Sequence, residues 1–362
     1  TQTPTWNNFG SMFYDNMDEF AVDGAVPSFV NYVEGIYVGY KFYETAAAEG
    51  LIDYDATVQY PFGYGLSYTT FTQEMGPISE SNGTITFDVT VTNTGDVAGK
   101  DVIQVYYNPP YTNGGIEKAS ANLIAFDKTD MLEPGASQTL TISFDVEDMA
   151  SYDTYGAGAY VLEAGDYAIS INSDAHTVIA SQTYNVPTTI TYGDTSPRST
   201  DAVAASNQFA FAEGDVTYLS RANGFPNYAE ATAAPTNFTM DEETKATFYN
   251  NSNYDPNEFN NPDDVMPTTG AKNGLKLEDL RGVDYDDPQW DELLDQMTVS
   301  EMDTLIAIGG YQTSAINSIG KVQTIDCDGP ASINNNFTGK GSIGFPAAVM
   351  IAATWNVDLA ND

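Results

Sequence analysis

The run Gln323-Thr324-Ile325-Asp326-Cys327-Asp328-Gly329-Pro330 decides how the C-terminal part of the chain is read. Its spacing predicts a short apolar strand that leads into two acidic residues, after which Gly329-Pro330 turns the chain. A second apolar run begins at Phe345-Pro346 and closes in Ala353-Thr354-Trp355-Asn356. Two short buried strands with polar groups at their C-terminal ends predict the opening of a parallel α/β barrel, in which ligands bind beyond the carboxyl ends of the strands. That points to an enzyme acting on a small molecule rather than to a purely structural module.

Upstream of this run the pattern is helical. Asp287-Pro288 supplies an N-cap followed by a proline at the first helical position, and Trp290, Leu293, Leu294 and Met297 are expected on one face. Thr298-Val299-Ser300-Glu301 has the spacing of a capping box. Met302, Leu305, Ile306 and Ile308 are expected to fill the apolar side of the second helix, which Gly309-Gly310 ends. Residues 188–285 are rich in Thr, Ala, Asn, Asp and Pro and predict a long connector with short ordered pieces. The acidic and amide-rich stretch Asn250 to Asp264 lacks the spacing and central glycine of an EF-hand loop, so no metal is expected there.

Between 78 and 186 the period becomes two. Ile85, Phe87, Val89 and Val91 alternate with threonines and Asp88, and Ile103, Val105 and Tyr107 alternate in the same way. So do Leu140, Ile142, Phe144 and Val146, then Tyr167, Ile169 and Ile171, with a further strand from Val178 to Tyr184. Turn signals such as Asn93-Thr94-Gly95-Asp96 and Glu133-Pro134-Gly135 separate them, which predicts an antiparallel β-sandwich. Before it, residues 28–49 read as one helix with Ser28 as N-cap and Gly50 at the stop. Tyr60-Pro61-Phe62-Gly63-Tyr64-Gly65-Leu66-Ser67-Tyr68 cannot form a regular helix and is expected to lie extended against another surface.

Composition bounds the chemistry. The 362 residues carry 12 Lys and Arg against 51 Asp and Glu, a net charge of −39. Such a surface repels nucleic acid and anionic membranes, so neither is expected as a partner. One cysteine, Cys327, rules out an internal disulfide and an ordinary Cys/His zinc cluster. The single histidine, His176, sits in a polar turn and is expected to be an exposed hairpin residue rather than part of a triad. Catalysis is therefore expected to rest on carboxylates, hydroxyls, amides and aromatic rings, without a metal or cofactor. No apolar run has membrane-spanning length. Both ends read as cut, so the chain is expected to be an internal piece of a longer protein. Low lysine and high Asn and Thr favour the cell surface or exterior over the cytoplasm.

Three blocks together resemble glycoside hydrolase family 3, the β-glucosidase and β-xylosidase group. The first is Tyr32-Val33-Glu34-Gly35-Ile36-Tyr37-Val38-Gly39-Tyr40-Lys41-Phe42-Tyr43 with the aromatic segment 60–68, similar to the close of the family's α/β sandwich domain. The second is Val91-Thr92-Asn93-Thr94-Gly95 with Ala98-Gly99-Lys100, Val102-Ile103-Gln104-Val105-Tyr106 and Leu132-Glu133-Pro134-Gly135, similar to its fibronectin type III-like domain. The third is Asp328-Gly329-Pro330 with Phe345-Pro346 and Ala352-Ala353-Thr354-Trp355-Asn356, similar to the first strands of its barrel.

The resemblance implies a multidomain α/β plus all-β chain. Residues 1–68 would be the C-terminal part of an α/β sandwich domain and 69–187 a fibronectin type III-like β-sandwich. Residues 188–285 would be a linker, and 286–362 the start of a TIM-type barrel. The order differs from that of usual members and resembles a permuted subgroup. Ala331-Ser332-Ile333-Asn334 also stands where the family commonly has Gly and Arg.

The implied activity is retaining exo-β-glycoside hydrolysis, releasing terminal β-linked glucose. The alternatives are a β-xylosidase, or a non-catalytic carbohydrate-binding spacer. The family's nucleophile, a late-strand aspartate, and its acid/base, a sandwich glutamate, have no matching position here. No catalytic residue is assigned, and the chain alone is expected to be inactive. Asp328 matches the aspartate that binds the hydroxyls of the terminal sugar. Asp326, on the other side of the strand, is expected either to support the site from behind or to be structural, and Cys327 to be a small buried apolar residue.

Overall fold

The structure, a computed structural model, describes residues 32–207, 217–233, 242–243, 255–329, 331–335 and 337–361. It divides into two compact units, Thr1–Asn253 and Tyr254–Asp362.

The first unit is built on a β-sandwich. One sheet contains β1 (Phe71–Met75), β2 (Ser79–Ser81), β3 (Thr84–Asn93) and β6 (Ser137–Asp145), with β3 between β6 and the β1/β2 edge. The other runs in the order β10 (Val178–Val186), β9 (Gly165–Asn172), β4 (Val102–Asn108), β5 (Asn122–Lys128). A third, three-stranded sheet joins β7 (Ser151–Asp153), β8 (Ala159–Leu162) and β11 (Ile190–Tyr192). All the pairings are antiparallel.

The inward set is the alternating set of the sequence. Ile85, Phe87, Val89 and Val91 of β3 meet Ile142 and Phe144 of β6, with Ile103, Val105, Tyr167, Ile169 and Ile171 from the facing sheet. Each such side chain, removed from water, stabilises the fold by roughly 1.5–3 kcal/mol. The outer face of β3 and β6 is a hydroxyl ladder, with Thr90 to Thr139 at 2.9 Å and Thr92 to Ser137 at 2.7 Å. The Asn-Thr-Gly turn has a physical reason. Asn93 is fully buried, donates to the carbonyls of Val97 and Leu132 at 2.8 Å, and accepts from Thr69 Oγ1 at 2.7 Å. A Cβ on Gly95 would stand 2.3 Å from Thr69 Oγ1.

The helix expected over 28–49 begins only at Tyr40, giving α1 (Tyr40–Ala48). Gly35 and Gly39 adopt φ of 53° and 60°, a left-handed backbone that breaks the preceding turn. Ser28 and Phe29 lie outside the described residues. The predicted stop holds. Gly50 has φ 75°, its N–H reaches the Ala47 carbonyl at 3.0 Å, and the Leu51 N–H reaches Ala46 at 2.8 Å, a Schellman closure.

The aromatic segment after the short helix α2 (Tyr54–Thr57) lies on the outer face of β4 and β9. The Ala175 N–H donates to the Phe62 carbonyl at 2.8 Å, and Phe62 stacks on Tyr40 with ring centres 4.6 Å apart. Gln104 and Tyr106, which point away from the sandwich interior, are thereby buried as well. Within the expected connector, Ile190–Tyr192 extends the third sheet. Leu219, Phe225 and Ala231, the last in α3 (Tyr228–Ala231), pack with Val33, Tyr37, Phe42 and Ala46 in a second core. Their apolar side chains are too widely spaced to show a period in the sequence.

The second unit has a small core of Leu280, Leu293, Met297, Ile316 and Ile319, formed around α4 (Gln289–Leu294) and α5 (Val299–Ala307). The N-cap of α4 is Pro288, one residue after the expected Asp287, whose side chain still accepts from the Gln289 N–H at 2.9 Å. The capping box at Thr298 and Glu301 forms as its spacing predicts. Leu294, Ile306 and Ile308 are exposed rather than packed with their neighbours. Helix periodicity marks which residues share a face, and it does not say how wide a strip of that face a small core covers.

Candidate functional site

The expected pair of buried parallel strands is not what the structure shows. Thr324–Ile325 form β13, which pairs antiparallel with β12 (Gln312–Thr313), and both residues of β13 are exposed. Cys327, expected to be buried, is exposed too. The reason is that β13 has one paired edge and no covering layer among the described residues. The run after Phe345-Pro346 forms a helix, α6 (Ala348–Ala352), followed by α7 (Val357–Asn361). Alanine and methionine dominate that segment and favour helix over strand.

Asp328 stands three residues beyond the end of β13 and is exposed. Its backbone is fixed. The Asp328 N–H donates to the Asn334 carbonyl at 2.8 Å, and the Asn334 N–H returns to the Asp328 carbonyl at 3.2 Å. This bridge sits beside the short ribbon of β14 (Asn334–Asn335) and β15 (Lys340–Gly341). The side chain is a solvated carboxylate on a held backbone, suited to accept hydrogen bonds from neighbouring hydroxyls. The Asp326 backbone is held as well, its N–H donating to the Tyr311 carbonyl at 3.0 Å, while the residue itself is exposed.

One residue that the sequence did not single out organises this loop. Asn335 is 1% exposed. Its Nδ2 donates to the carbonyls of Asp326 at 2.8 Å and Tyr311 at 3.2 Å, and its Oδ1 accepts from the N–H groups of Phe337 at 3.0 Å and Thr338 at 2.9 Å. Tyr311 carries a positive φ of 59° and packs its ring against Phe337, 4.9 Å centre to centre. The only hint in the sequence was the run of amides Asn334-Asn335-Asn336, a composition that suits turns.

His176 lies in the β9–β10 turn and is exposed, as expected. Its ring is engaged all the same: Nδ1 is 2.9 Å from Glu44 Oε2, and the ring stacks on Tyr54 with centres 3.7 Å apart. Burial, then the nearby Glu44 carboxylate, pushes the Tyr54 hydroxyl well above the usual tyrosine range. Two clefts of the first unit are lined by titratable side chains. The larger, about 1140 Å³, includes Tyr37, Glu117 and Ser220 in its wall, and the smaller, about 560 Å³, includes Glu44, Tyr54 and His176. Asp328 lines neither. Glu117 is occupied by Tyr37 Oη, by Ser220 Oγ at 2.6 Å and by the Arg221 N–H at 3.0 Å, so it acts as a tie between segments.

Residues 101–175 match the fibronectin type III-like domain. The chain is 30% identical to β-glucosidase A of Butyrivibrio fibrisolvens over 364 aligned residues, covering 91% of this chain and 41% of that protein. It is 41% identical to a β-glucosidase of Ruminococcus albus over 147 residues, 40% of this chain and 14% of that one. Among solved structures, a β-glucosidase from Paenibacillus barengoltzii superimposes with a TM-score of 0.60 at 24% identity, over 96% of this chain and 37% of its own. That likeness concerns the fold. The chain thus spans about two fifths of the length of the first of these relatives. It is a relative of the β-glucosidases of the glycoside hydrolase family 3 type and carries their fibronectin type III-like domain.

Proposed function

We propose that the protein to which these residues belong is a retaining exo-β-glucosidase, and that Asp328 binds the hydroxyls of the terminal glucose. The observation that carries this reading is the collinear match to a β-glucosidase across both units, with an exposed carboxylate on a hydrogen-bonded backbone at Asp328. A carboxylate accepts two hydrogen bonds from adjacent hydroxyls, and charged acceptors hold them more strongly than neutral ones. Fixing the ring in this way presents the anomeric carbon to a nucleophile.

Retaining hydrolysis needs two carboxyl groups about 5–5.5 Å apart, one to attack and one to protonate the leaving oxygen and later deprotonate water. Neither matches a residue here, so we assign both to other parts of the protein and expect these 362 residues alone to be inactive. We assign 1–68 to the end of an α/β sandwich domain, 69–187 to the fibronectin type III-like domain, 188–285 to a connector and 286–362 to the start of the barrel. In support, Ile343, Phe345, Val349 and Met350 are strongly exposed and call for covering layers of the kind a completed barrel supplies. The hydroxyl ladder on β3 and β6 offers no aromatic platform for sugar stacking on that face, which disfavours a spacer that binds carbohydrate there.

The test is Asp328→Ala in the protein produced from its whole reading frame. Hydrolysis of aryl β-glucosides should fall by orders of magnitude while the circular dichroism spectrum is retained. A near-normal rate would remove Asp328 from the site.

A further inference from the structure

We propose that Asn335 is the positioning residue of the sugar-binding loop: it holds the backbone on which Asp328 is displayed. The inference rests on the reading of Asp328 given above and adds a second residue to that site. Two segments must be held together for the Asp328 carboxylate to have a defined place. One is the end of β13, where Asp326 leads into Asp328. The other is the Asn334 backbone that pairs with Asp328. Asn335 belongs to the second segment and reaches back to the first through its side chain, at the Asp326 carbonyl, 2.8 Å away.

The four hydrogen bonds use both ends of the amide. The donor end joins Asp326 and Tyr311, and the acceptor end closes the turn at Phe337 and Thr338. An asparagine amide has two donor hydrogens and an oxygen with two lone pairs, so these bonds saturate it. The Tyr311 carbonyl accepts from both the Asp326 N–H and Asn335, which makes it the common anchor of the two segments. A buried amide with every bond made is specified by its surroundings, and losing it removes one hydrogen bond from each of four backbone groups. Ser342 Oγ adds a weaker tie by accepting from the Ile333 N–H at 3.0 Å.

Two substitutions separate positioning from local turn closure. Asn335→Asp keeps the acceptor for Phe337 and Thr338 and removes both donations to Tyr311 and Asp326. Asn335→Ala removes everything. Amide hydrogen exchange should quicken about tenfold or more at Asp328 in both variants, as a locally opened loop would. At Phe337 and Thr338 it should quicken only in the alanine variant, and at Val89 of β3 in neither. An unchanged Asp328 amide in both variants would overturn the proposal and leave Asn335 as the cap of its own turn.

A second readout is inhibition by glucose in the whole protein. Its Ki should rise about tenfold in Asn335→Asp, and the Asp328→Ala/Asn335→Asp double variant should be no worse than Asp328→Ala alone, because coupled residues are not additive. Additive losses would overturn the coupling. If Asp328→Ala leaves glucose inhibition unchanged, the sugar-binding reading fails, and the exchange result still decides whether Asn335 holds the loop. If the alanine variant does not fold, the aspartate variant carries both measurements.

Discussion

The side-chain amide of Gln104 donates to the carbonyl of Gly63 at 3.0 Å and, from the same nitrogen, to the carbonyl of Ser173 at 3.0 Å. One residue of β4 thus clasps the aromatic segment on one side and the β9–β10 turn on the other. Gly63 has φ of 82°, and a Cβ there would lie 2.1 Å from Gln104 Oε1.

Gly63→Ala is therefore expected to destabilise the first unit by about 1–3 kcal/mol through left-handed strain and the displaced amide. Gln104→Leu, which leaves two carbonyls without their donor, should cost a similar amount, roughly 1–3 kcal/mol. Urea unfolding of each variant checks this, and an unchanged midpoint would mean that the segment is not anchored there.

Asn93→Ala should cost about 3 kcal/mol, because the turn after β3 loses two donations and two acceptances in a fully buried place. Asn93→Asp should be nearly as damaging, since it keeps the acceptors for Thr69 and Gly95 and faces the carbonyls of Val97 and Leu132 with an oxygen. Thermal unfolding of the two variants measures the contrast.

His176→Ala should weaken the hold of α1 on the β9–β10 turn by about 1 kcal/mol, by removing the hydrogen bond to Glu44 and the stack on Tyr54. The Tyr54 ring then gains solvent. Faster exchange at the Ala175 amide, which bonds to Phe62, would report the loosening. Equal exchange in both proteins would argue that the stack is incidental.

Glu301 is held down to about 2 from an ordinary value of 4.5, by the N–H groups of Thr298 and then of Ser318. Its folded value lies below the unfolded one. The stability it contributes is therefore complete above about 4.5 and lost as pH falls through about 2. Glu301→Gln should lower the stability of the second unit at neutral pH and flatten its acid dependence across that window. Solvent screens this partly exposed group, so the effect is small and is best read as a change of slope. A parallel acid limb in the variant would contradict the capping role.

Much of the sandwich could be read in the residues, because strand alternation is local. Ile85, Phe87, Val89 and Val91 point inward in any sheet that buries that face. The capping box at Thr298 and Glu301 and the helix stop at Gly50 were legible for the same reason, since each closes its bonds within a few residues. The Asp328 motif was legible as a kind of residue at a turn, and its match to a sugar-binding position came through resemblance.

What alternation could not tell was which outer face would be covered. Gln104 and Tyr106 are buried because residues 60–64 and α1, distant in the chain, lie across them. Ile325, Cys327 and Ile306 are as apolar as core residues and stand exposed, because no layer among the described residues covers them. Asn335 looked like one amide in a run of three. Only the approach of the Asp326 and Tyr311 carbonyls makes it the clasp of the loop, and bonds between segments 9 and 24 residues apart leave no period in a sequence.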